Sequence, residues 1–456
     1  VRMNSQWGFK MKILIMGFEY LPVKVGGLAE ALTSIAEALA SLGHEVLVFT
    51  PSHGRFQGSE IGIIKAFGGK VAIKVHLEEN GNLRIYRIGG GLLDHQDVYG
   101  PGWEGLIRKT VIFGKASVLL LNELLKSEDL PDVLHFHDWH TVFAGALIKK
   151  YFRIPAVFTI HRLNKSKIPA FYFHEAGLPE LAPYPDLDPE HTGGYIADIV
   201  TTVSRGYLLD EWDFFRNFNG KVTYVFNGID CSFWNENYLK GSRKERRSSI
   251  LAKFGMSDGI TFMFIGRFDR RQKGVDTLLR AIELLSERPE FKEMRFIIIG
   301  MGDPELENWA RELEKRYDNV RVLTEMLSRE FVRELYGSVD FVIIPSYFEP
   351  FGLVSLEAMC LGAIPIASSV GGLRDVIVSI DEDHVDGTGL LVKPGDPWDL
   401  ANAILRMHSI AMDNEFVEKL RDNCKKRAKS FSWENSAKRY LRAYKGNIDR
   451  IFDFAM

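Results

Sequence analysis

Short apolar runs that end in polar or glycine-bearing loops and lead into helical patterns recur along the whole chain, and few folds accommodate that rhythm. In the first half, Lys12–Met16 (KILIM), Glu45–Phe49 (EVLVF), Val133–His137 (VLHFH) and Ala156–His161 (AVFTIH) read as strands. In the second half, 260–265 (ITFMFI), 295–300 (RFIIIG), 320–323 (VRVL), 341–344 (FVII), 364–368 (IPIAS) and 389–393 (GLLVK) do the same. Helical patterns intervene, beginning with the amphipathic Leu28–Leu42, which Gly43 closes. A strand, a crossover helix and a second strand require parallel pairing. The fold class is therefore α/β, with two doubly wound Rossmann-like domains facing across a cleft. The expected division is residues 11–228 for the first domain and 229–432 for the second, followed by a last helix over 433–452. A site between two such domains is the default expectation.

Three stretches depart from the rhythm. Residues 70–89 place two strand patterns about Asn80-Gly81-Asn82, which predicts a hairpin, either an insertion or an antiparallel edge. Arg162–His191, rich in proline and aromatics, reads as a long irregular segment of the kind that is functional or mobile. The basic cluster Lys240–Arg247 reads as the solvated face of a linker helix.

The 456 residues suffice for two or three domains. A net charge of −3 gives no electrostatic case for nucleic acid or an anionic membrane as a partner. No run of about 18 apolar residues occurs, so no membrane span is expected. Three widely spaced cysteines, Cys231, Cys360 and Cys424, form neither a disulfide framework nor a metal pair, which fits a reducing, cytoplasmic setting. The first ten residues, VRMNSQWGFK, lack the apolar core of a secretory signal, and Met11 is the expected functional start.

The chemistry concentrates at strand ends. After the strand FVII, the loop Ser346–Gly352 carries Glu349, and the following helix carries Glu357. The junction Phe351-Gly352-Leu353 offers unpaired backbone N–H groups, and Gly352 lets a ligand approach the backbone. After ITFMFI, Gly266–Asp276 holds four cations within seven residues; Arg267 and Lys273 are placed toward a phosphate, Arg270 and Arg271 toward solvent. Lys24-Val25-Gly26-Gly27 is a second glycine turn between a strand and a helix, with a cation beside it. Gly300-Met301-Gly302-Asp303 is half of a dinucleotide fingerprint and reads as a turn beside a nucleotide. His135, His137, Asp138 and His140 could form a metal set; a metal-free polar site for sugar hydroxyls is the favoured reading, and His161 is a similar strand-end residue. Asp186-Leu187-Asp188 has the form of a metal-binding Asp-x-Asp, but its proline-rich loop marks it as coincidence.

Together these motifs resemble the glycogen and starch synthases, retaining glycosyltransferases of the GT-B fold, over residues 11 to about 445. The resemblance rests on Lys24-Val25-Gly26-Gly27-Leu28-Ala29, His137-Asp138-Trp139-His140, Thr159-Ile160-His161, Asn227-Gly228-Ile229-Asp230 with Trp234, Arg267 to Lys273-Gly274, and Glu349-Pro350-Phe351-Gly352-Leu353 with Glu357. Val25, the longer Arg267–Lys273 interval and Phe351 depart from the bacterial pattern and bear on the choice of donor more than on the reaction.

The resemblance implies transfer of glucose from ADP-glucose or UDP-glucose to the non-reducing 4-hydroxyl of an α-1,4-glucan (glycogen or a malto-oligosaccharide), with retention. It implies catalytic roles for Glu349, Arg267, Lys273 and His161. On the donor side it places Lys24, Gly26, Gly27, Gly302, Tyr347, Phe351, Gly352, Leu353 and Glu357, and on the sugar side Asp138 and Asn227. It implies no metal or other cofactor, since Arg267 and Lys273 supply the positive charge, and it leaves a homo-oligomer open. A retaining GT-B enzyme with a small acceptor, of the sucrose or trehalose type, and a catalytically silent sugar-nucleotide-binding protein are the alternatives.

Overall fold

The computed structural model describes residues 10–182 and 186–448. Of these, 10–203, 212–225 and 433–448 form one compact unit, while Ser204–Glu211 and Phe226–Ser432 form a second. The expected start at Met11 borders the undescribed residues 1–9.

The first unit is built on β1 (Lys12–Met16), β2 (Glu45–Pro51), β3 (Ser59–Ala66), β4 (Gly69–Asn80), β5 (Leu83–Gly89), β6 (Val133–His137), β7 (Ala156–Ile160), a short antiparallel ladder of β8 (Ile168–Pro169) with β9 (Asp186–Leu187), then β10 (Ile199–Thr202) and β11 (Val222–Tyr224). Its main sheet runs β11-β10-β7-β6-β1-β2-β5-β4-β3. The seven strands from β11 to β5 are parallel, and β4 pairs antiparallel with both β5 and β3. The hairpin at Asn80–Asn82 is therefore an antiparallel edge, with Gly81 at φ 59° in its turn. The strand β3 was not marked by its pattern, because most of its residues are exposed or half-buried.

One face of this sheet holds a core of Ile13, Ile15, Val46, Val48, Leu32 and Ile35, with Tyr440 and Leu441 from the last helix in the same cluster. That helix spans Trp433–Tyr444 and stops short of the expected 452. Gly446 takes φ 77°, its N–H bonds Ala443 O, and the Asn447 N–H bonds Arg442 O, so a Schellman turn ends the helix. Residues 449–456 lie outside the described residues. The expected irregular segment 162–191 contains a helix, Ala170–Ala176, which buries Tyr172 and Phe173. Asp188 caps the next helix, Pro189–Ile196, by accepting from the Glu190 and His191 N–H groups. The side chain of Asp186 lies outside the described residues.

The second unit has six parallel strands: β12 (Ile260–Ile265), β13 (Met294–Ile299), β14 (Val320–Leu323), β15 (Phe341–Ile344), β16 (Ile364–Ser368) and β17 (Leu390–Val392), in the order β14-β13-β12-β15-β16-β17. The strand order reverses between β12 and β15 here, and between β1 and β6 in the first unit. Ligands of open parallel sheets bind outside the carboxyl ends of the strands at such reversals. The motif loops Gly266–Gly274 and Ser346–Gly352 leave β12 and β15; the Lys24–Gly27 loop and Asp138 follow β1 and β6.

The basic cluster is not the solvated linker face that its charge suggested. On the helix Arg243–Lys253, Arg243 donates to the carbonyls of Tyr336, Val339 and Leu361, and Arg246 to that of Gly337. Arg247 reaches Asp340 Oδ2 at 2.9 Å, and Arg421 reaches Asp340 Oδ1 at 2.8 Å. These guanidiniums satisfy chain ends around β15 that would otherwise be buried without partners, and long stems let them do so from a polar helix.

Candidate active site

In the second unit, the loop after β12 is shaped by one carboxylate. Asp269 Oδ1 accepts from the backbone N–H groups of Arg271, Gln272 and Lys273 at 3.1, 2.6 and 3.2 Å. The turn ends at Gly274, φ 62°, where a Cβ would stand 1.9 Å from Pro345 O, so only glycine fits between the two loops. The loops are tied further by Tyr347 N–H donating to Gln272 O at 2.7 Å and by Tyr347 OH donating to Asp276 Oδ2 at 2.7 Å. This brings Lys273 Nζ to 2.7 Å from Glu349 Oε2. Arg267, on the same loop, is 67% exposed and reaches Gln272 Oε1 at 3.1 Å. Arg270, read as solvent-facing, makes exposed ion pairs with Asp303 and Glu305.

The neighbouring turn explains Gly302. Phe268 N–H donates to Met301 O and Asp303 N–H to Phe268 O, and a Cβ on Gly302, at φ 153°, would lie 2.3 Å from Phe268 O. The glycine is required by this close approach of two loops.

Gly352 caps the helix Leu353–Cys360 at φ 95° with no side-chain cap; the Ser355 N–H donates back to Gly352 O at 3.0 Å, while the N–H groups of Leu353 and Val354 have no intrahelical acceptor. Phe351 is buried between Phe226 and Phe431, ring centroids 6.2 and 6.0 Å away, which leaves its backbone to face a ligand. Gly371 and Gly372 pack beneath this loop, and Gly372 N–H donates to Glu349 O at 3.0 Å. Tyr336 OH donates to Glu357 Oε2 at 3.4 Å. Asn227 is buried and belongs to this second unit.

In the first unit, buried Glu19 holds the glycine turn: its Oε2 accepts from Val25 N–H at 2.7 Å and Gly26 N–H at 3.0 Å, and its Oε1 accepts from Tyr99 OH. The Gly26 N–H is therefore occupied. Gly27 opens the helix Gly27–Ser41. Lys24 Nζ pairs with Glu30 Oε1 at 2.7 Å and is 41% exposed. Neither Glu19 nor Tyr99 was among the residues read from sequence, although Glu19 stands only five positions before Lys24 at the end of β1.

The histidine run resolves into a buried polar cluster. His135 uses both ring nitrogens, on Tyr444 OH at 2.7 Å and Thr159 Oγ1 at 2.6 Å. His137 Nδ1 lies 2.9 Å from His161 Nε2, and His140 stacks on Phe18 at 5.2 Å. Burial holds His140 and His161 down to about 3, so both rings are neutral. Asp138 takes φ 58°, and its Oδ1 accepts from His161 N–H at 2.7 Å. Burial pushes its carboxyl up to about 7 against the lowering effect of that bond. Among the described residues, no group of three or more His, Cys, Asp or Glu is placed to hold a metal ion.

A family model of the starch synthase catalytic domain matches residues 12–220, and one of glycosyl transferases group 1 matches 259–409. An uncharacterized glycosyltransferase of Methanocaldococcus jannaschii is 30% identical over 95% of this chain and 98% of its own. A glycogen synthase of Opitutus terrae is 28% identical over 96% of this chain and all of its own. The catalytic domain of starch synthase IV from Arabidopsis thaliana, solved bound to ADP and acarbose, superposes with a TM-score of 0.80 at 24% identity, covering 96% of this chain and 99% of that one. Two Rossmann-like units with strand-end loops of this kind are those of a GT-B glycosyltransferase. The chain belongs to the glycogen and starch synthase family.

Proposed function

We propose that the protein transfers glucose from ADP-glucose or UDP-glucose to the non-reducing 4-hydroxyl of an α-1,4-glucan, retaining the α configuration. The observation that carries this reading is the near-complete match to proteins named glycogen synthase, combined with the Lys273–Glu349 pair at the strand reversal of the second unit.

In this reading Arg267 and Lys273 bind the donor diphosphate and stabilise the charge that develops as it departs, which is electrostatic catalysis by preplaced cations. Glu349, now paired with Lys273, holds the donor glucose near C1, and Glu357 takes the ribose hydroxyls. The N–H groups at Phe351, Gly352 and Leu353, together with Gly302 and Tyr347, complete the donor side. Lys24, Gly26 and Gly27 serve the donor phosphates; since the Gly26 N–H already serves Glu19, the contribution of that pair comes through Gly27 and the first helical turn. His161 reaches the glucose 6-hydroxyl as a neutral ring, with Asp138 and Asn227 on the sugar side. The departing phosphate takes the proton of the acceptor hydroxyl on the face it leaves. No metal is assigned, because the two cations carry its charge. The proposed setting is the cytoplasm, where nucleoside diphosphate sugars are available.

The test supplies purified protein with glycogen and radiolabelled ADP-glucose or UDP-glucose, and counts label in precipitated polymer. Label in polymer supports the reading, and the better donor identifies the base preferred. Label found only in a small product when a sugar phosphate or fructose is offered transfers the assignment to the small-acceptor enzymes. Nucleotide binding without any transfer leaves a binding protein.

A further inference from the structure

Cys231 and Cys360, 129 residues apart in sequence, face each other in the second unit with their sulfurs 3.1 Å apart. Cys231 is half-buried and begins the turn after Asn227–Asp230, while Cys360 is buried and ends the helix that starts beside Gly352. Cys424 is different: it is fully buried and its thiol donates to Thr388 O at 3.0 Å. Among the described residues, no third His, Cys, Asp or Glu is placed with the pair to hold a metal ion, so it does not have the ligand count of a structural metal site. The Cys360 thiol donating to Cys231, with the Lys429 ammonium nearby, holds the Cys231 thiol below its ordinary value. A half-buried thiol held low by a second thiol and an ammonium, against burial and the Asp230 carboxylate, is an arrangement in which exchange with disulfides is favoured.

We propose that Cys231 and Cys360 are a site of reversible covalent modification that takes low-molecular-weight disulfides of the glutathione class and closes into an intramolecular disulfide. The Cys231 thiolate attacks one sulfur of the small disulfide, a mixed disulfide forms, and one small thiolate leaves. The Cys360 sulfur, giving up its proton, then attacks Cys231 and expels the second small thiolate. Two protein thiols are oxidised, the small disulfide is reduced to two thiols, and the released protons end on those thiols. The sulfurs must approach by about 1 Å to reach bonding distance. The bond ties the segment through which the chain enters the second unit to the helix bearing Glu357, one turn before Cys360. Trp234 already leans on that region, its ring 5.7 Å from Tyr336, whose hydroxyl donates to Glu357.

The test reads thiols, so its outcome is separate from that of the transferase assay. Intact protein is reduced, desalted, equilibrated with oxidised glutathione, denatured in an alkylating reagent and mapped by mass spectrometry. The expected result is a fall from three alkylated cysteines to one, Cys424, with the Cys231 and Cys360 peptides linked. Cys360→Ser is expected to trap glutathione on Cys231, and Cys231→Ser to keep both remaining thiols free. Should Cys360→Ser fail to fold, the half-buried Cys231→Ser supplies the comparison. Three alkylated cysteines in the oxidised wild type, or a glutathione adduct persisting on its Cys231, would overturn the proposal.

Discussion

Lys273 Nζ lies 2.7 Å from Glu349 Oε2, joining the loop after β12 to the loop after β15 at the point where the strand order reverses. Both side chains keep some solvent access, at 22% and 12%. Taking both charges largely out of water costs desolvation that offsets much of their attraction, so the pair is weak evidence of stabilisation. Its significance is positional: a cation and a carboxylate are held ready where a parallel sheet binds its ligand.

Binding separates the two partners. Lys273→Met should weaken ADP or UDP binding about thirtyfold or more, the cost of truncating one side of a charged contact. Glu349→Gln should leave nucleotide affinity within about threefold, since the proposed partner of Glu349 is the sugar and not the diphosphate. Calorimetric titration of both variants checks this; equal losses would remove the division of roles.

Glu19 organises the Lys24–Gly27 turn without being part of it. Glu19→Ala orphans the N–H groups of Val25 and Gly26 and the hydroxyl of Tyr99. It should lower stability by about 1–3 kcal/mol, as an unsatisfied buried group does, and raise the KM for the donor. Denaturant unfolding and donor kinetics read the two effects.

The buried histidines set the response to acid. His140 is held down to about 3, and an unfolded histidine titrates near 6.5. Between those values the unfolded chain binds a proton that the folded protein refuses, so stability falls as the pH drops below about 6.5. Asp138, pushed up to about 7, works oppositely: the folded protein holds its proton while the unfolded aspartate has lost it, so its contribution weakens as the pH rises from about 4 to 7. His140→Phe, which keeps a ring beside Phe18, should therefore flatten the acid limb. The change in slope should approach about 1.4 kcal/mol per pH unit between pH 6 and 4. An unchanged slope would mean that His140 is charged in the folded protein.

Strand, loop and helix were legible wherever the pattern is local. Ile260–Ile265 and Phe341–Ile344 have the bounds that their apolar runs announced, and Lys273 and Glu349 were both read as site residues because each stands just past such a run. What could not be read depended on distance in sequence. Arg243 and Arg247 look like solvent charges until Val339 O and Asp340 are brought to them by the fold. Cys231 and Cys360 look unrelated for the same reason. Glu19 was legible in principle, as a carboxylate at the end of β1, but the signal of the glycine turn beside it drew the reading away.

The buried carboxylate of Asp340 gives a stability prediction for the second unit. It accepts from Arg247, Arg421 and the Thr261 N–H; Arg247 keeps Asp258 and Arg421 keeps Glu418 as partners, so Asp340→Ala orphans the buried Thr261 N–H and one arm of each guanidinium and should cost about 1–3 kcal/mol. Lys244→Ala, at an exposed position on the helix that carries Arg247, should be within about 0.5 kcal/mol of wild type. Paired denaturant curves decide between a bracing network and a solvated helix face.

The most direct test of the account is incorporation of labelled glucose into glycogen by the wild type, Lys273→Ala and Glu349→Ala, each first shown to be folded by its melting curve. The account predicts labelled polymer from the wild type with at least one of the two donors, and a fall of about a hundredfold or more in kcat/KM in each variant. Polymer labelled at the wild-type rate by folded Lys273→Ala and Glu349→Ala would contradict it, because the pair at the strand reversal would then have no part in the reaction.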